Sequence, residues 1–244
     1  MNAIEIKGLR KEYKDLVAVK DLTLDIREGE LFSLLGVNGA GKTTTIKMLS
    51  TLTPPTKGDA VILGKSLAHH PEAIKGQIDI SMQETAVARK LTVEENLDFY
   101  ADLNGLSAAE KAEVKQEIFD ALGLDEVRSK QAAKLSGGWQ RKLSIALALV
   151  TRPKVLFLDE PTLGLDVLAR RELWRTISAM KGKMTIILTT HYMEEAEALS
   201  DRIGIMDHGK LCFVGTKEEL YAASGKTNVE DAFIEIVSGG KYNA

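Results

Sequence analysis

Apolar positions along the chain fall into two periods. Residues 4–7 and 22–26 alternate apolar and polar side chains, the pattern of half-buried strands, with charged turns such as Arg27-Glu28-Gly29-Glu30 between elements. Residues 31–36 are nearly continuous in apolar character, as expected of a strand covered on both faces in a parallel sheet. That strand runs into a glycine-rich loop and then a helix over 42–52, stopped by Pro54-Pro55. Further strands are expected at 58–64 and 78–82.

From residue 84 to about 150 the period becomes helical. Residues 93–103 and 108–122 carry apolar side chains at helical spacing, with Thr92 and Ser107 placed as N-caps, and a third helix covers 139–150. The alternation of strand and helix then resumes: strands at 155–158 and 184–188, helices at 167–180 and 193–199. Residues 203–207 and 211–214 read as a hairpin closed by His208-Gly209. A short amphipathic helix over 229–237 precedes a Gly-rich, mobile end. The pattern predicts an α/β core interrupted by a mostly helical insertion.

Composition narrows the function classes. With 32 Lys and Arg against 35 Asp and Glu the net charge is −3, which argues against a dominant basic surface for nucleic acid. The single cysteine, Cys212, cannot form an internal disulfide; its apolar run, Lys210-Leu211-Cys212-Phe213-Val214, places it in the core as an inert residue. The N-terminal residues alternate like a strand instead of forming a signal peptide, and no apolar run approaches the roughly 20 residues of a bilayer span. A cytoplasmic location is expected, with any membrane role supplied by a partner.

Three short motifs carry chemistry. Gly36-Val37-Asn38-Gly39-Ala40-Gly41-Lys42-Thr43 fits the phosphate-loop pattern between a strand and a helix. Its glycines let backbone N–H groups curl around a β-phosphate, Lys42 adds positive charge at the β- and γ-phosphates, and Thr43 offers a hydroxyl to Mg²⁺. Asn38, Gly39, Ala40, Gly41 and the following Thr44 complete the cradle for a nucleotide triphosphate. Asp159-Glu160 places two carboxylates just past a buried strand. Asp159 suits a Mg²⁺ ion, and Glu160, one residue on and so on the other side of the strand line, suits a general base for the attacking water. Leu135-Ser136-Gly137-Gly138 opens an apolar helix and offers a second anion-binding N-terminus. One nucleotide needs one cradle, so the second points to a site completed by another copy of the chain.

In their order (phosphate loop, Gln83, Leu135-Ser136-Gly137-Gly138, Asp159-Glu160, Leu163-Gly164-Leu165-Asp166, His191) these motifs resemble the nucleotide-binding domain of ABC transporters over nearly the whole length. The resemblance implies an α/β P-loop NTPase: a RecA-like core with a mostly parallel sheet, an antiparallel β-subdomain and an inserted helical subdomain. It divides the chain into 1–83 and 152–244 as core and 84–151 as the helical part. It implies that two such domains pack head to tail around two ATP molecules. By position, Tyr13 would stack on adenine, and Gln83 would touch Mg²⁺ and the attacking water. Ser136 and Gly138, flanking Gly137, would contact the γ-phosphate held by the opposite subunit. Asp166 would organise the dimer seam, and His191 would contact the γ-phosphate and hold Glu160.

One departure stands in the signature, where Trp139 replaces the family's usual Gln and is followed by Gln140-Arg141-Lys142. Thr190-His191-Tyr192-Met193-Glu194-Glu195-Ala196-Glu197 and Val229-Glu230-Asp231-Ala232-Phe233 look like the ATPase subunits of bacterial drug, antibiotic or polysaccharide exporters. The resemblance therefore implies an ATPase using ATP and Mg²⁺, a second ATPase subunit (the same chain or a related one), and a transmembrane permease. It places the protein on the inner face of the cell membrane, meeting the permease through residues 84–97. The alternatives are a soluble ABC-type ATPase acting on ribosomes or DNA, and a non-hydrolysing regulatory module. A single motif set without a heptad run disfavours the first, and the presence of both Glu160 and His191 disfavours the second.

Overall fold

The computed structural model describes residues 1–239 and holds two sheets with helices between and around them. Strands β1 (Asn2–Tyr13) and β2 (Leu16–Arg27) form an antiparallel hairpin. The other edge of β1 pairs with β4 (Lys57–Ile62), which carries the short β5 (Lys65–Ser66). Both hairpin strands run well past the expected 4–7 and 22–26. Register shifts between Ile6 and Leu9 and between Leu9 and Lys11 break the strict alternation that would have revealed their full length.

The second sheet has the order β10-β9-β3-β8-β7-β6. Its strands β3 (Leu31–Leu35), β6 (Ile78–Ser81), β7 (Val155–Asp159), β8 (Thr185–Thr190) and β9 (Arg202–Asp207) pair in parallel, and β10 (Lys210–Gly215) closes one edge antiparallel to β9. Its central strands are buried on both faces, and their side chains sort by pleat. Leu156, Leu158, Ile186 and Leu188 enter the core shared with the helical region, while Val155, Phe157 and Ile187 enter the core against the antiparallel sheet.

Between β6 and β7 lie only helices: α3 (Val93–Leu103), α4 (Ala108–Leu122), α5 (Gly137–Leu149) and two 3₁₀ turns at Asp125–Val127 and Ala132–Lys134. Thr92 and Ser107 cap α3 and α4 through reciprocal boxes with Glu95 and Glu110, as their spacing requires. Helix α1 (Lys42–Leu49) stops before the expected residue 52, because Thr51 already takes a left-handed φ of 64°. Helix α6 (Val167–Ser178) likewise ends two residues early, whereas α5 begins two residues early, directly on the glycines. Helices α7 (Met193–Leu199) and α9 (Val229–Ser238) match the pattern, while α2 (Pro71–Lys75) and α8 (Lys217–Ser224) were not anticipated. Most of the Gly-rich end, from residue 240, lies outside the described residues.

Cys212 is exposed, not buried in the core. In edge strand β10 the side chains alternate, and Cys212 falls on the outer side with Lys210, between the half-buried Leu211 and Phe213. Among the described residues no helix is long and apolar enough to cross a membrane.

Candidate functional site

The loop between β3 and α1 is shaped by its glycines. Gly41 has φ 106°, and a Cβ there would come within 2.5 Å of the Ala18 carbonyl oxygen, so backbone conformation and close approach both exclude a side chain. With Gly41 as its N-cap, α1 begins without a side-chain cap, leaving first-turn N–H groups free for an anion. Lys42 is only 5 % exposed; its Nζ donates to the carbonyls of Gly36 (2.7 Å) and Val37 (3.2 Å) and lies 3.2 Å from Glu160 Oε1.

Two carboxylates meet this loop from the end of β7. Asp159 is fully buried, and its Oδ1 accepts hydrogen bonds from Thr43 Oγ1 (3.0 Å) and Thr189 Oγ1 (2.5 Å). Its Oδ2 is buried with no partner among the described residues. An orphaned carboxylate oxygen beside a threonine hydroxyl suits a hard cation that prefers oxygen ligands. The described residues contain no cluster of three or more His, Cys, Asp or Glu, so such a cation would complete its shell with phosphate oxygens and water.

Strand alternation places Glu160 opposite Asp159, and here the structure differs. Glu160 adopts a left-handed φ of 49°, which ends the pleat and brings both carboxylates to consecutive residues of the phosphate loop, Lys42 and Thr43. Its N–H donates to the Thr189 carbonyl and lies 3.1 Å from Thr189 Oγ1. A non-glycine residue in this region costs of order 1 kcal/mol and persists only where its surroundings hold it, a common condition at reactive sites. His191 Nδ1 stands 2.7 Å from Glu160 Oε2, so Lys42 and His191 hold the two oxygens of one buried carboxyl. With Glu160 ionised, Nδ1 is the donor and Nε2 is left to the cleft.

These residues line one cleft of about 780 Å³, formed by residues 38–44, Gln83, Glu160, Leu163 and His191. The pattern had not marked the remaining wall: Leu16, Val17 and Ala18 at the start of β2, and the His208-Gly209 turn. That turn is clamped in place, with Gly209 N–H donating to Ala40 and its carbonyl accepting from Lys20 N–H. Tyr13, paired with Leu16 across the β1–β2 hairpin, is 43 % exposed at the rim and does not line the cleft. The Lys11 ammonium lies 5.0 Å from its ring centroid.

Ser136, Gly137 and Gly138 stand elsewhere, at the exposed start of α5. Ser136 is the N-cap of α5, yet its side chain makes no capping hydrogen bond. Asp166, also outside the cleft, accepts from the N–H groups of Leu168 and Ala169 and caps α6. Gly138 packs against α6, where an added Cβ would lie 3.1 Å from Ala169 Cβ. Trp139 turns into the helical core as a half-buried ring under the Lys142 ammonium (4.5 Å to the centroid), and Lys142 pairs with Glu172. Gln140, one position on, hydrogen-bonds the carbonyls of Ala132 and Leu135. Arg141, buried and unmarked by any motif, donates to the carbonyls of Met82 (2.7 Å) and Gln83 (2.6 Å) and so ties the signature helix to the Gln83 segment.

Known proteins resemble the chain in sequence and in fold. Residues 19–163 match the family described as ABC transporter. The chain is 44% identical over 217 residues to the human phospholipid-transporting ATPase ABCA3, covering 87% of the chain but 13% of that protein. It is 40% identical over 224 residues to the daunorubicin/doxorubicin resistance ATP-binding protein DrrA of Streptomyces peucetius, covering 91% of the chain and 68% of that protein. A solved structure of an ATP-binding subunit of an ABC transporter superimposes with a TM-score of 0.84 at 31% identity, covering 96% of this chain and 99% of the other.

Proposed function

Because the chain belongs to the ABC transporter family, we propose that it is the ATP-hydrolysing motor subunit of an exporter, working as a dimer and driving a separate membrane permease. Glu160 carries this reading: a buried carboxyl held at one oxygen by Lys42 and at the other by His191, inside a phosphate-loop cleft. Outward transport is supported by likeness to a protein named for drug resistance.

In this reading the triphosphate lies across the N-terminus of α1. The backbone N–H groups of residues 38–44 bind its β-phosphate, and Lys42 exchanges its carbonyl contacts for phosphate oxygens. Thr43 and Asp159 would hold Mg²⁺, with Gln83, which lines the same cleft, reaching it; the ion would supply charge neutralisation on the phosphates. Glu160 takes the proton of the attacking water, and His191 keeps that carboxylate aimed while presenting its other ring nitrogen to the γ-phosphate. Tyr13 stacks on adenine from the rim. Ser136, Gly137 and Gly138 reach the γ-phosphate of a facing copy, and Asp166 organises the seam between the two. Residues 84–97 meet the permease, with Phe99 and Leu103, exposed at 56% and 70%, farther along α3.

Glu160→Gln keeps the shape and loses the proton acceptor. It is expected to bind ATP, to dimerise stably in its presence, and to hydrolyse at least about a hundredfold more slowly. Size-exclusion chromatography with ATP and a phosphate-release assay check this. Wild-type turnover by the variant would remove Glu160 from the role of base, and absence of hydrolysis by the unaltered chain would remove the motor assignment.

A further inference from the structure

Behind His191 lies a carboxyl that this reaction scheme leaves unused. Glu195, in the first turn of α7, is 0 % exposed. Trp174 Nε1, from α6, donates to its Oε1 at 2.9 Å. The hydroxyls of Thr162 and Thr190 face the same carboxyl. Glu195 Oε2 and Thr162 Oγ1 are nevertheless both sealed from water without a well-formed hydrogen bond among the described residues. Thr162 stands two residues beyond Glu160, Thr190 immediately precedes His191, and Trp174 belongs to the helix that Asp166 opens. One buried carboxyl thus sits where the segment after Glu160, the end of β8 and helix α6 converge.

Resting on hydrolysis through Glu160 and His191, we propose that Glu195 is a positioning residue: it holds these three segments in register and so fixes His191 against Glu160. Each buried hydroxyl has one hydrogen to donate and two lone pairs to fill. Thr190 Oγ1 already accepts from Tyr192 N–H, so its own hydrogen is free to reach the carboxyl. Burial, with Glu160's charge adding to it, pushes the Glu195 carboxyl above the usual carboxylate range. In the neutral form Oε2 carries a proton that Thr162 Oγ1 can accept, and no second negative charge stands behind the base. A core polar group of this kind matters through geometry: a small misplacement of a reacting pair costs far more in rate than in stability.

The test compares Glu195→Gln, Glu195→Ala and Trp174→Phe in the full chain by kcat, KM for ATP and thermal midpoint. Glutamine retains a neutral donor and acceptor at the same reach; alanine retains neither; phenylalanine keeps the ring and removes the Nε1 donor. Glu195→Ala is expected to lower kcat by about 10- to 100-fold with KM within about twofold, and Glu195→Gln to recover kcat to within about threefold of the unaltered chain. Trp174→Phe should fall between them. A kcat for Glu195→Ala within twofold of the unaltered chain overturns the proposal, and so does a Glu195→Gln variant no faster than Glu195→Ala. If Glu195→Ala fails to fold, Trp174→Phe decides, since unaltered kcat in that variant also overturns it. A failure here leaves the motor assignment standing as long as the unaltered chain hydrolyses ATP and Glu160→Gln does not.

Discussion

Asp79 on β6 shows how a single ionisable side chain can set a pH response. Burial raises its carboxyl pKa to about 6, against the opposing hydrogen bonds from Ile80 N–H and the Thr151 hydroxyl. Because the folded value lies above the model-compound 3.8, folding takes up a proton across the window from about pH 4 to 6. The stability attached to this group is therefore present at low pH and lost as pH rises through 6. Asp79→Asn cannot ionise. It is expected to stabilise the chain by roughly 1–3 kcal/mol at pH 8 and by little near pH 4. Thermal midpoints of both proteins across that range check the sign, and equal midpoints at pH 8 would show that the carboxylate bears no such cost. Asp79 also lies in the groove with Tyr100 and Asn104, so a cation brought by a docking partner would reverse the cost at neutral pH.

At the scale of an element, the segment between Gln83 and α3 forms no regular structure and is held by its neighbours. Asn96, 2 % exposed, accepts from Ala88 N–H at 2.8 Å and donates to the carbonyls of Ala88, Leu91 and Thr92. Arg141 holds the other end through Met82 and Gln83. Asn96→Ala would leave the Ala88 N–H without its partner and strip one donor each from the carbonyls of Ala88, Leu91 and Thr92, which keep the N–H groups of Leu91, Ala132 and residue 96. The expected loss is about 1–3 kcal/mol, read as a lower denaturant midpoint, with faster amide exchange over residues 84–92. No pattern in the sequence marks Asn96 or Arg141 for this work. Each sits on a helix whose apolar period reads correctly, and its partners are backbone groups of a kind that nearly every residue possesses. The helices themselves were legible because capping boxes at Thr92 and Ser107 fix their starts and Gly123 ends α4 with a left-handed φ of 62°. The antiparallel hairpin was legible only in part, because bulges shift a period of two and hide the strand that continues beyond them.

For the whole molecule, the motifs that read as chemistry divide into two groups that one chain does not bring together. The phosphate loop, Gln83, Glu160 and His191 share a cleft, whereas Ser136, Gly137, Gly138 and Asp166 lie outside it, with Ser136, Gly137 and Asp166 exposed. The phosphate loop was legible because phosphate binding demands glycines and a lysine at fixed spacing, and Glu160 because it follows a buried strand, whereas Gln83 and His191 were legible only through the family resemblance. The left-handed turn that brings Asp159 and Glu160 to one side was not, because a strand pattern carries no record of where the pleat ends. If the second group completes a site across a twofold axis, each dimer contains two composite sites, and damage to the two groups should complement. Ser136→Glu places a negative charge where a facing γ-phosphate would lie, while its own phosphate loop and Glu160 stay intact. Glu160→Gln keeps a working Ser136 and loses the base. Each alone is expected to hydrolyse ATP poorly while still binding it. Mixed in equal amounts before ATP is added, half the dimers would be mixed and one of their two sites intact, restoring about a quarter of the unaltered rate. A mixture no faster than its components would show that the two groups do not act across a subunit boundary. Loss of ATP binding in Ser136→Glu alone would place Ser136 in its own chain's site instead.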